Sequence, residues 1–244
     1  MKVLFAGPSC AALLPSLRDN PAFELRGPAA YGDVARATLE GASAIGIVDG
    51  RFEDTRAVWH KEILFALSKG VAVAGAASMG ALRAAECTAF GMIGIGDVFH
   101  RYARGEFEDD GDVAQLHGPP ELGFIALSEP LANIVATLEA LSAEKLISPD
   151  ECTVLIGEAR ALHYKERGYP RLFGATHFSA DRRTFLTAWA AKNAVDRKAE
   201  DAALLVQWLI AAPDKRRGQA EFVFSVTSQW LALLSEIEDR RSAA

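Results

Sequence analysis

The sequence predicts an α/β protein, in which an N-terminal part with a parallel sheet carries a C-terminal all-helical part packed on it. Over residues 1–75, short apolar stretches of strand length alternate with longer stretches of helical composition. This alternation is typical of right-handed crossover units, which build parallel sheets. Beyond about residue 128 the patterns are helical only. We therefore expect an α/β core over 1–127 and a helical region over 128–244.

The elements of the N-terminal part follow in chain order. Strands are expected at 2–6, 44–48 and 71–74, with a weaker one at 23–26, because these stretches are short and apolar. Helices are expected between them, at 9–19, 33–40 and 54–69. Another helix starts at Met79, where alanine and leucine predominate.

The loops that follow parallel strands gather at one edge of the sheet, where ligands bind. Three of the predicted strands end in short polar or glycine-containing turns. The residues expected to face one crevice at that edge are Gly7, Pro8, Ser9, Asp49, Gly50 and Ser78.

The C-terminal half contains helical patterns at 129–144, 181–194, 196–211 and 227–240. A capping box with proline at the first helical position opens another helix at Ser148. No internal repeat or low-complexity linker separates the halves. Basic and aromatic residues at 164–170 and 196–198 fit a partner surface, and a solvated helix face explains them as well.

Composition limits the function classes. The chain has 244 residues, of which 50% are hydrophobic and 24% charged, with a net charge of −6. This acidic balance argues against nucleic acid as the main partner. No apolar run is long enough to span a membrane and the N-terminus starts a strand instead of a signal peptide, so we expect a cytoplasmic protein.

The cysteines give no metal or disulfide signature. Cys10, Cys87 and Cys152 are far apart and form no C-x-x-C pair. Each is expected to be a small apolar filler, which fits a reducing compartment. We expect no metal and no cofactor.

Ser78 is the candidate centre of the chemistry, because it stands at a predicted strand-to-helix junction between small residues. Ala-x-Ser78-x-Gly is close to the G-x-S-x-G nucleophile elbow, with alanine in place of the first glycine. The alternative is that Ser78 only caps the next helix. Both interpretations put the hydroxyl beside free N–H groups and the positive end of a helix dipole.

Lys61 is the candidate general base. On a helix over 54–69 its neighbours would be Ala57, Val58, Leu64 and Phe65, which are all apolar. Burial lowers the pKa of a lysine, and a neutral lysine can accept a proton from serine. Alternatively, Lys61 and Glu62 anchor a buried charge network.

Two other motifs give weaker indications of function. Gly75 and Gly80 have the spacing of a phosphate-binding loop, but the lysine and hydroxyl that bind phosphate and magnesium are missing. His117 precedes Gly-Pro, whose fixed loop geometry suits either a catalytic or a hydrogen-bonded structural histidine.

Several motifs together resemble the TfuA-like family. The resemblance is dense from residue 3 to about 130, and the segments around Ser78 and Lys61 are its most specific part. The motifs are Phe5-Ala-Gly-Pro-Ser9, Asp49-Gly-x-Phe52, Val58-Trp-His-Lys-Glu-Ile63, the segment from Gly75 to Glu86 that includes Arg83, Phe90-Gly-Met92 and His117-Gly-Pro119.

The resemblance implies a function. TfuA-like proteins are companions of YcaO enzymes, which use ATP to install backbone thioamides in peptides. The resemblance implies that the TfuA-like partner supplies sulfur by hydrolysing the thiocarboxylate at the C-terminus of a small ThiS-type carrier protein, with a Ser-Lys pair. In this chain that pair corresponds to Ser78 and Lys61.

The remaining site residues are assigned around this pair. The Met79 N–H and one N–H from 7–9 are the expected oxyanion donors. Gly75 and Gly80 are expected to leave room for the glycine-ended carrier tail. Asp49, Arg83 and His117 are grouped with the substrate-binding residues.

Two other functions are compatible with the same residues. The protein could be a non-catalytic adapter that docks a YcaO enzyme, with Ser78 and Lys61 as structural residues. A plain esterase is weaker, because no convincing Ser, acid, His order is present. A homo-oligomer is possible. A hydrogen bond between Ser78 and Lys61 would favour the enzyme, and a lysine turned to solvent would favour the adapter.

Overall fold

The computed structural model describes residues 1–51, 53, 55–218 and 221–242. Its N-terminal part is a parallel sheet, in which the strands are arranged in the order β2-β1-β3-β4-β5. A helical region follows, so the predicted fold class is confirmed. The strands are β1 Lys2–Phe5, β2 Glu24–Arg26, β3 Ala44–Ile47, β4 Ala72–Ala76 and β5 Ile93–Ile95.

Helices connect the strands and make up the C-terminal half. In the N-terminal part they are α1 Leu14–Leu17, α2 Asp33–Leu39, α3 His60–Ser68, α4 Met79–Cys87 and α5 Gly96–Ala103. The later helices are α6 Leu131–Ala143, α7 Pro149–Ala161, α8 Tyr169–Gly174, α9 Ala180–Asn193, α10 Arg197–Ala211 and α11 Ser228–Ser242.

The sheet is covered on both faces, as its unalternating apolar strands predict. Side chains on one face of the sheet, such as Phe5 and Ile47, pack with residues of α2, α3 and α4. Side chains on the opposite face, such as Leu4, pack with Leu205 and Leu209 of α10. Helix α10 comes from the C-terminal half, so the two predicted regions share a core. The domain boundary at residue 127 stays a prediction.

Two predicted helices are shorter than expected. The stretch 9–19 forms a 3₁₀ turn at Pro8–Cys10 and the single-turn helix α1. Pro15 explains the break, because proline has no N–H to continue a helix. The helix predicted at 54–69 begins at His60, and its expected first residue, Asp54, lies outside the described residues.

Strand β5 and helix α5 were not predicted. Gly96, between them, has φ +89°, which favours glycine. Asp201 of α10 caps α5 by accepting hydrogen bonds from the N–H groups of Asp97 (3.0 Å) and Val98 (2.8 Å). The capping carboxylate comes from a distant part of the chain, so the local sequence gives no start signal for α5.

The helical region has its own apolar core, built by α6 to α9 together with α5. Its predicted capping box is confirmed: the Ser148 hydroxyl accepts from the Glu151 N–H at 3.1 Å, and the Glu151 carboxylate accepts from the Ser148 N–H at 2.7 Å. The three cysteines are buried and unpaired. None of the described helices combines the length and apolar character that a membrane crossing needs.

Candidate active site

A cleft of about 510 Å³ lies at the carboxyl edge of the sheet. It is formed where the loops after β1, β3 and β4 meet the loop at 113–124 and the start of α10. Of the predicted site residues, Pro8, Asp49, Ser78 and His117 line it. The structure therefore brings these four residues together.

Ser78 follows a strained turn. Ala77 has φ +65°, which is uncommon for a residue other than glycine, and Ala77 is fully buried. The Ser78 N–H donates to the Ala76 carbonyl at 2.7 Å, closing a γ-turn of the rare, strained kind. Strain of this type persists where surrounding structure enforces it, and it clusters at functional sites. The turn puts Ser78 in the cleft at the N-terminus of α4.

The Ser78 hydroxyl does not cap its helix. Ser78 is the N-cap residue of α4, but its side chain accepts no hydrogen bond from the first turn. Ser148 and Ser179, the N-caps of α7 and α9, do accept such bonds. The purely structural interpretation of Ser78 therefore lacks the contact on which it depends.

Asp49 organises the turn after β1. Its buried carboxylate accepts hydrogen bonds from the N–H groups of Gly7 (2.8 Å) and Ser9 (3.1 Å) and from the Ser9 hydroxyl (2.7 Å). Pro8 has no N–H. Both amides of the 7–9 turn thus have an acceptor already, which corrects the expectation that one of them binds an oxyanion.

Met79 is left as the predicted oxyanion donor. Its amide is the first of α4, and the first amides of a helix have no acceptor within the helix. The next amide, that of Gly80, donates to the Val48 carbonyl at 3.2 Å, so it ties α4 to the end of β3. This contact fixes the start of α4 against the end of β3, the strand that Asp49 follows.

Gly75 and Gly80 serve packing instead of substrate access. A Cβ on Gly75 would lie 1.9 Å from the Gly80 carbonyl oxygen, and a Cβ on Gly80 would lie 1.8 Å from that of Ile47. The space beside both glycines is filled by backbone. The expectation that they make room for a carrier tail is therefore corrected: they let α4 approach β3 and β4.

His117 lines the cleft and is exposed. Its Nδ1 lies 2.8 Å from the Gly118 carbonyl oxygen, which can only accept, so Nδ1 carries the hydrogen. In the neutral ring Nε2 is then an acceptor. His117 also packs against Phe124 at 5.4 Å between ring centroids.

Lys61 lies on α3, next to aromatic rings. Lys61 lies in the first turn of α3, and its amine lies 5.4 Å from the ring centroid of Phe224 and 5.9 Å from that of Trp59. It is not among the described residues that line the cleft. The apolar neighbours expected at 57 and 58 do not share its helix, because α3 begins at His60.

Glu62, beside it, is the buried anchor that the alternative interpretation expected. The side chain of Glu62 is fully buried and accepts from the N–H groups of Val34 and Ala35 at the start of α2, each at 3.2 Å. It also accepts from the Trp59 N–H at 3.0 Å. Burial raises the pKa of Glu62 to about 7.

Arg83 lies outside the cleft as well. It lines a different depression, with Tyr31 and Trp59. Its guanidinium donates to the Val58 carbonyl at 3.1 Å and to the Glu86 carboxylate at 2.7 Å. The Val58 contact joins α4 to the segment just before α3, and Glu86 belongs to α4 itself. The expectation that Arg83 binds substrate in the cleft is therefore corrected.

Lys198 is the cleft residue that the sequence did not reveal. It is 2% exposed in the first turn of α10 and its amine donates to the Val113 carbonyl at 2.8 Å. Burial lowers the pKa of Lys198. The interpretations of 196–198 as a partner surface or a solvated face are therefore corrected for this residue. The sequence did contain one signal of its burial, because Lys198 falls on the same helix face as the apolar residues Ala202 and Leu205.

The segment at 164–170 is likewise partly structural. Tyr164, Arg167 and Tyr169 are buried, and Arg167 donates to the Ala159 carbonyl at 3.0 Å. Lys165 is exposed on the rim of the cleft, where it pairs with Glu53 at 2.8 Å. The buried residues of this segment serve packing, and a partner surface built from its exposed residues stays a prediction.

Comparison with known proteins agrees with the sequence motifs. Residues 49–168 match the family model described as TfuA-like protein. This span contains Asp49, Ser78 and His117 and ends before Lys198. A search of curated proteins gave no match. Within the described residues, no cluster of three or more histidine, cysteine or carboxylate side chains is arranged to hold a metal ion.

Proposed function

Because the chain belongs to the TfuA-like family, whose members are associated with YcaO enzymes in peptide thioamidation, we propose that it releases sulfide from a thiocarboxylated protein. The substrate is the C-terminus of a small ThiS-type carrier, and the sulfide serves a YcaO partner. The observation that supports this proposal best is the strained turn at Ala77, which presents an uncapped serine in a cleft.

Ser78 is the proposed nucleophile. Its oxygen attacks the thiocarboxylate carbon, and the negative charge that develops on the former carbonyl oxygen is stabilised by the Met79 N–H and the dipole of α4. The C–S bond then breaks, and the serine proton leaves on the sulfur as hydrosulfide. Water hydrolyses the resulting ester and restores the serine. A lysine base fits this sequence of steps, with Lys61 the candidate from the resemblance and Lys198 the candidate from position.

The rim of the cleft suits the body of a carrier protein. Leu122, Ile125 and Leu127 are each more than half exposed on the loop that also supplies His117 and Phe124 to the cleft. Exposed apolar side chains grouped in this way are typical of protein contact sites. A carrier whose C-terminal carbon reaches Ser78 would rest on this loop.

The test is sulfide release from a ThiS-type carrier prepared with a C-terminal thiocarboxylate. Ser78→Ala should reduce release to the rate of the carrier alone, because the variant has no nucleophile. Its free energy of unfolding should stay within about 0.5 kcal/mol of wild type, since the lost hydroxyl makes no cap bond.

Ser148→Ala is the matched control. It removes a serine at the same helical position, but one that does cap its helix, so it should cost about 1 kcal/mol of stability and leave sulfide release unchanged. If wild-type protein releases sulfide no faster than the carrier alone while it binds a YcaO partner, the hydrolase proposal fails and the adapter function stands.

A further inference from the structure

Lys198 is fixed in the Ser78 cleft by three separate parts of the chain. Helix α10 supplies the residue, the Asn133 side chain of α6 accepts from its backbone N–H at 3.1 Å, and the Val113 carbonyl accepts from its amine at 2.8 Å. Burial of a lysine costs free energy unless the amine is neutral or paired. A lysine held this way at a cleft with a serine is a candidate for chemistry.

The charges around this amine are acidic. Asp49, Asp196 and Glu129 face it from the end of β3, the start of α10 and the approach to α6, and the Cys10 thiol faces it from the first 3₁₀ turn. No described carboxylate lies within ion-pair distance of the Lys198 amine. Asp49 instead uses its oxygens on the 7–9 turn, and Asp196 accepts from the Ala199 N–H and from Asn133.

These contacts have opposite effects on the protonation of Lys198. The facing carboxylates favour the ammonium, whereas burial without an ion pair favours the neutral amine, and burial is the larger effect. An amine that lines the cleft and whose ammonium form is disfavoured by burial can accept a proton from a serine.

We propose that Lys198 is the general base that exchanges protons with Ser78, an inference that rests on the proposed hydrolase function. In the first half of the reaction the Lys198 amine takes the Ser78 proton as the O–C bond forms, and gives it to the sulfur as the C–S bond breaks. In the second half it takes a proton from water as the ester is cleaved and returns it to the serine oxygen.

The same residue would select the substrate. A thiocarboxylate is an anion, and Lys198 becomes a buried cation in the same cleft once it has taken the serine proton. A neutral ester gains less from this charge, so we expect the cleft to prefer thiocarboxylates over ester substrates of similar size.

Lys198→Met tests the proposal. Methionine has nearly the same length. It removes a buried ionisable group but leaves the Val113 carbonyl without its donor, and because these effects oppose each other the variant should stay folded in urea titrations. Sulfide release should fall about 100-fold or more, the usual contribution of a general base. Lys192→Met, on the exposed side of α9, is the matched control and should release sulfide at the wild-type rate.

Two further measurements separate a base from a structural lysine. Sulfide release by Lys198→Ala should be partly restored by added alkylamines, with larger restoration by more basic amines of equal size. In wild-type protein the rate should rise with pH through a pKa below the ordinary lysine value, because the neutral amine is the active form. A folded Lys198→Met protein with the wild-type rate and pH profile would overturn the proposal.

Lys61→Met, measured in parallel, distinguishes the two lysines. Loss of release in Lys61→Met with full release in Lys198→Met would assign the base to Lys61 and refute the inference, while leaving the hydrolase function intact. Failure of the hydrolase function itself has a different result, since wild-type protein would then show no release that depends on Ser78.

Discussion

Replacing Gly80 by alanine should destabilise the protein, although alanine is the better helix former. Gly80 is the second residue of α4, and its ideal Cβ would lie 1.8 Å from the Ile47 carbonyl oxygen and 2.6 Å from the Ile47 carbonyl carbon. Real Cβ contacts are longer than 3.0 Å, so the start of α4 would have to move away from β3 by more than 1 Å. Backbone on both sides leaves no flexible side chain to absorb this shift.

The expected loss follows from three contributions. Overpacking costs about 1–3 kcal/mol and sometimes more, and weakening of the Gly80 N–H bond to Val48 costs roughly 1 kcal/mol. Better helix propensity returns about 1 kcal/mol. The net change in the free energy of unfolding should be a loss of about 1–3 kcal/mol, measured by urea denaturation with an unchanged m-value.

Gly157→Ala is the matched control. Gly157 lies inside α7 with open space around its Cβ position, so the same substitution should stabilise the protein by about 0.5–1 kcal/mol. Opposite signs at these two helical glycines are the expected result. A Gly80→Ala protein within 0.5 kcal/mol of wild type would refute the packing role of Gly80 and revive the view that it provides substrate access.

Two other predictions concern Glu62 and the rim of the cleft. Because burial raises the pKa of Glu62 from 4.5 to about 7, the folded protein binds this proton more tightly than the unfolded chain, so stability is lost as pH rises from about 4.5 to about 7. The free energy of unfolding of wild type relative to Glu62→Gln should fall by about 3 kcal/mol over that range in urea titrations, and a pH-independent difference would contradict the assignment. In the rim, replacing Leu122 and Leu127 together by serine should raise KM for the thiocarboxylated carrier about tenfold with little change in kcat, a loss of about 1.4 kcal/mol of apolar contact. Val154→Ser, on exposed α7 surface, should leave KM unchanged, and equal effects of the two changes would exclude a docking role for the rim.

The sequence was sufficient for the fold class because the strands carry their own signal. Apolar runs at 2–6, 44–48 and 71–74 match β1, β3 and β4 closely. The errors arose where a distant residue decides the local structure. Helix α5 is capped by Asp201, and the turn at Gly7 is held by Asp49. Both partners are distant in the sequence, so a local pattern cannot predict these contacts.

The site was predictable to the same extent. Pro8, Asp49 and Ser78 follow strands of one parallel sheet, and this topology alone brings them to one edge. The uses of their hydrogen bonds were not predictable, because a sequence does not show whether an amide is already bound. Gly7 and Ser9 therefore seemed free to bind an oxyanion, while their N–H groups in fact donate to Asp49.

Lys61 and Lys198 illustrate the difference between a local and a tertiary burial signal. The apolar positions around Lys61 suggested burial on the assumption of a helix that starts before His60, and the later start of α3 removes that assumption. Lys198 is buried because α10 crosses the sheet closely enough that a Cβ on Gly46 would lie 2.6 Å from Leu205. This close crossing at β3 places the first turn of α10 at the edge of the sheet where Asp49 and Ser78 follow β3 and β4. The lysine that shares the cleft with the serine is therefore supplied by the helical half of the chain, so the proposed chemistry depends on the packing of α10 against the sheet.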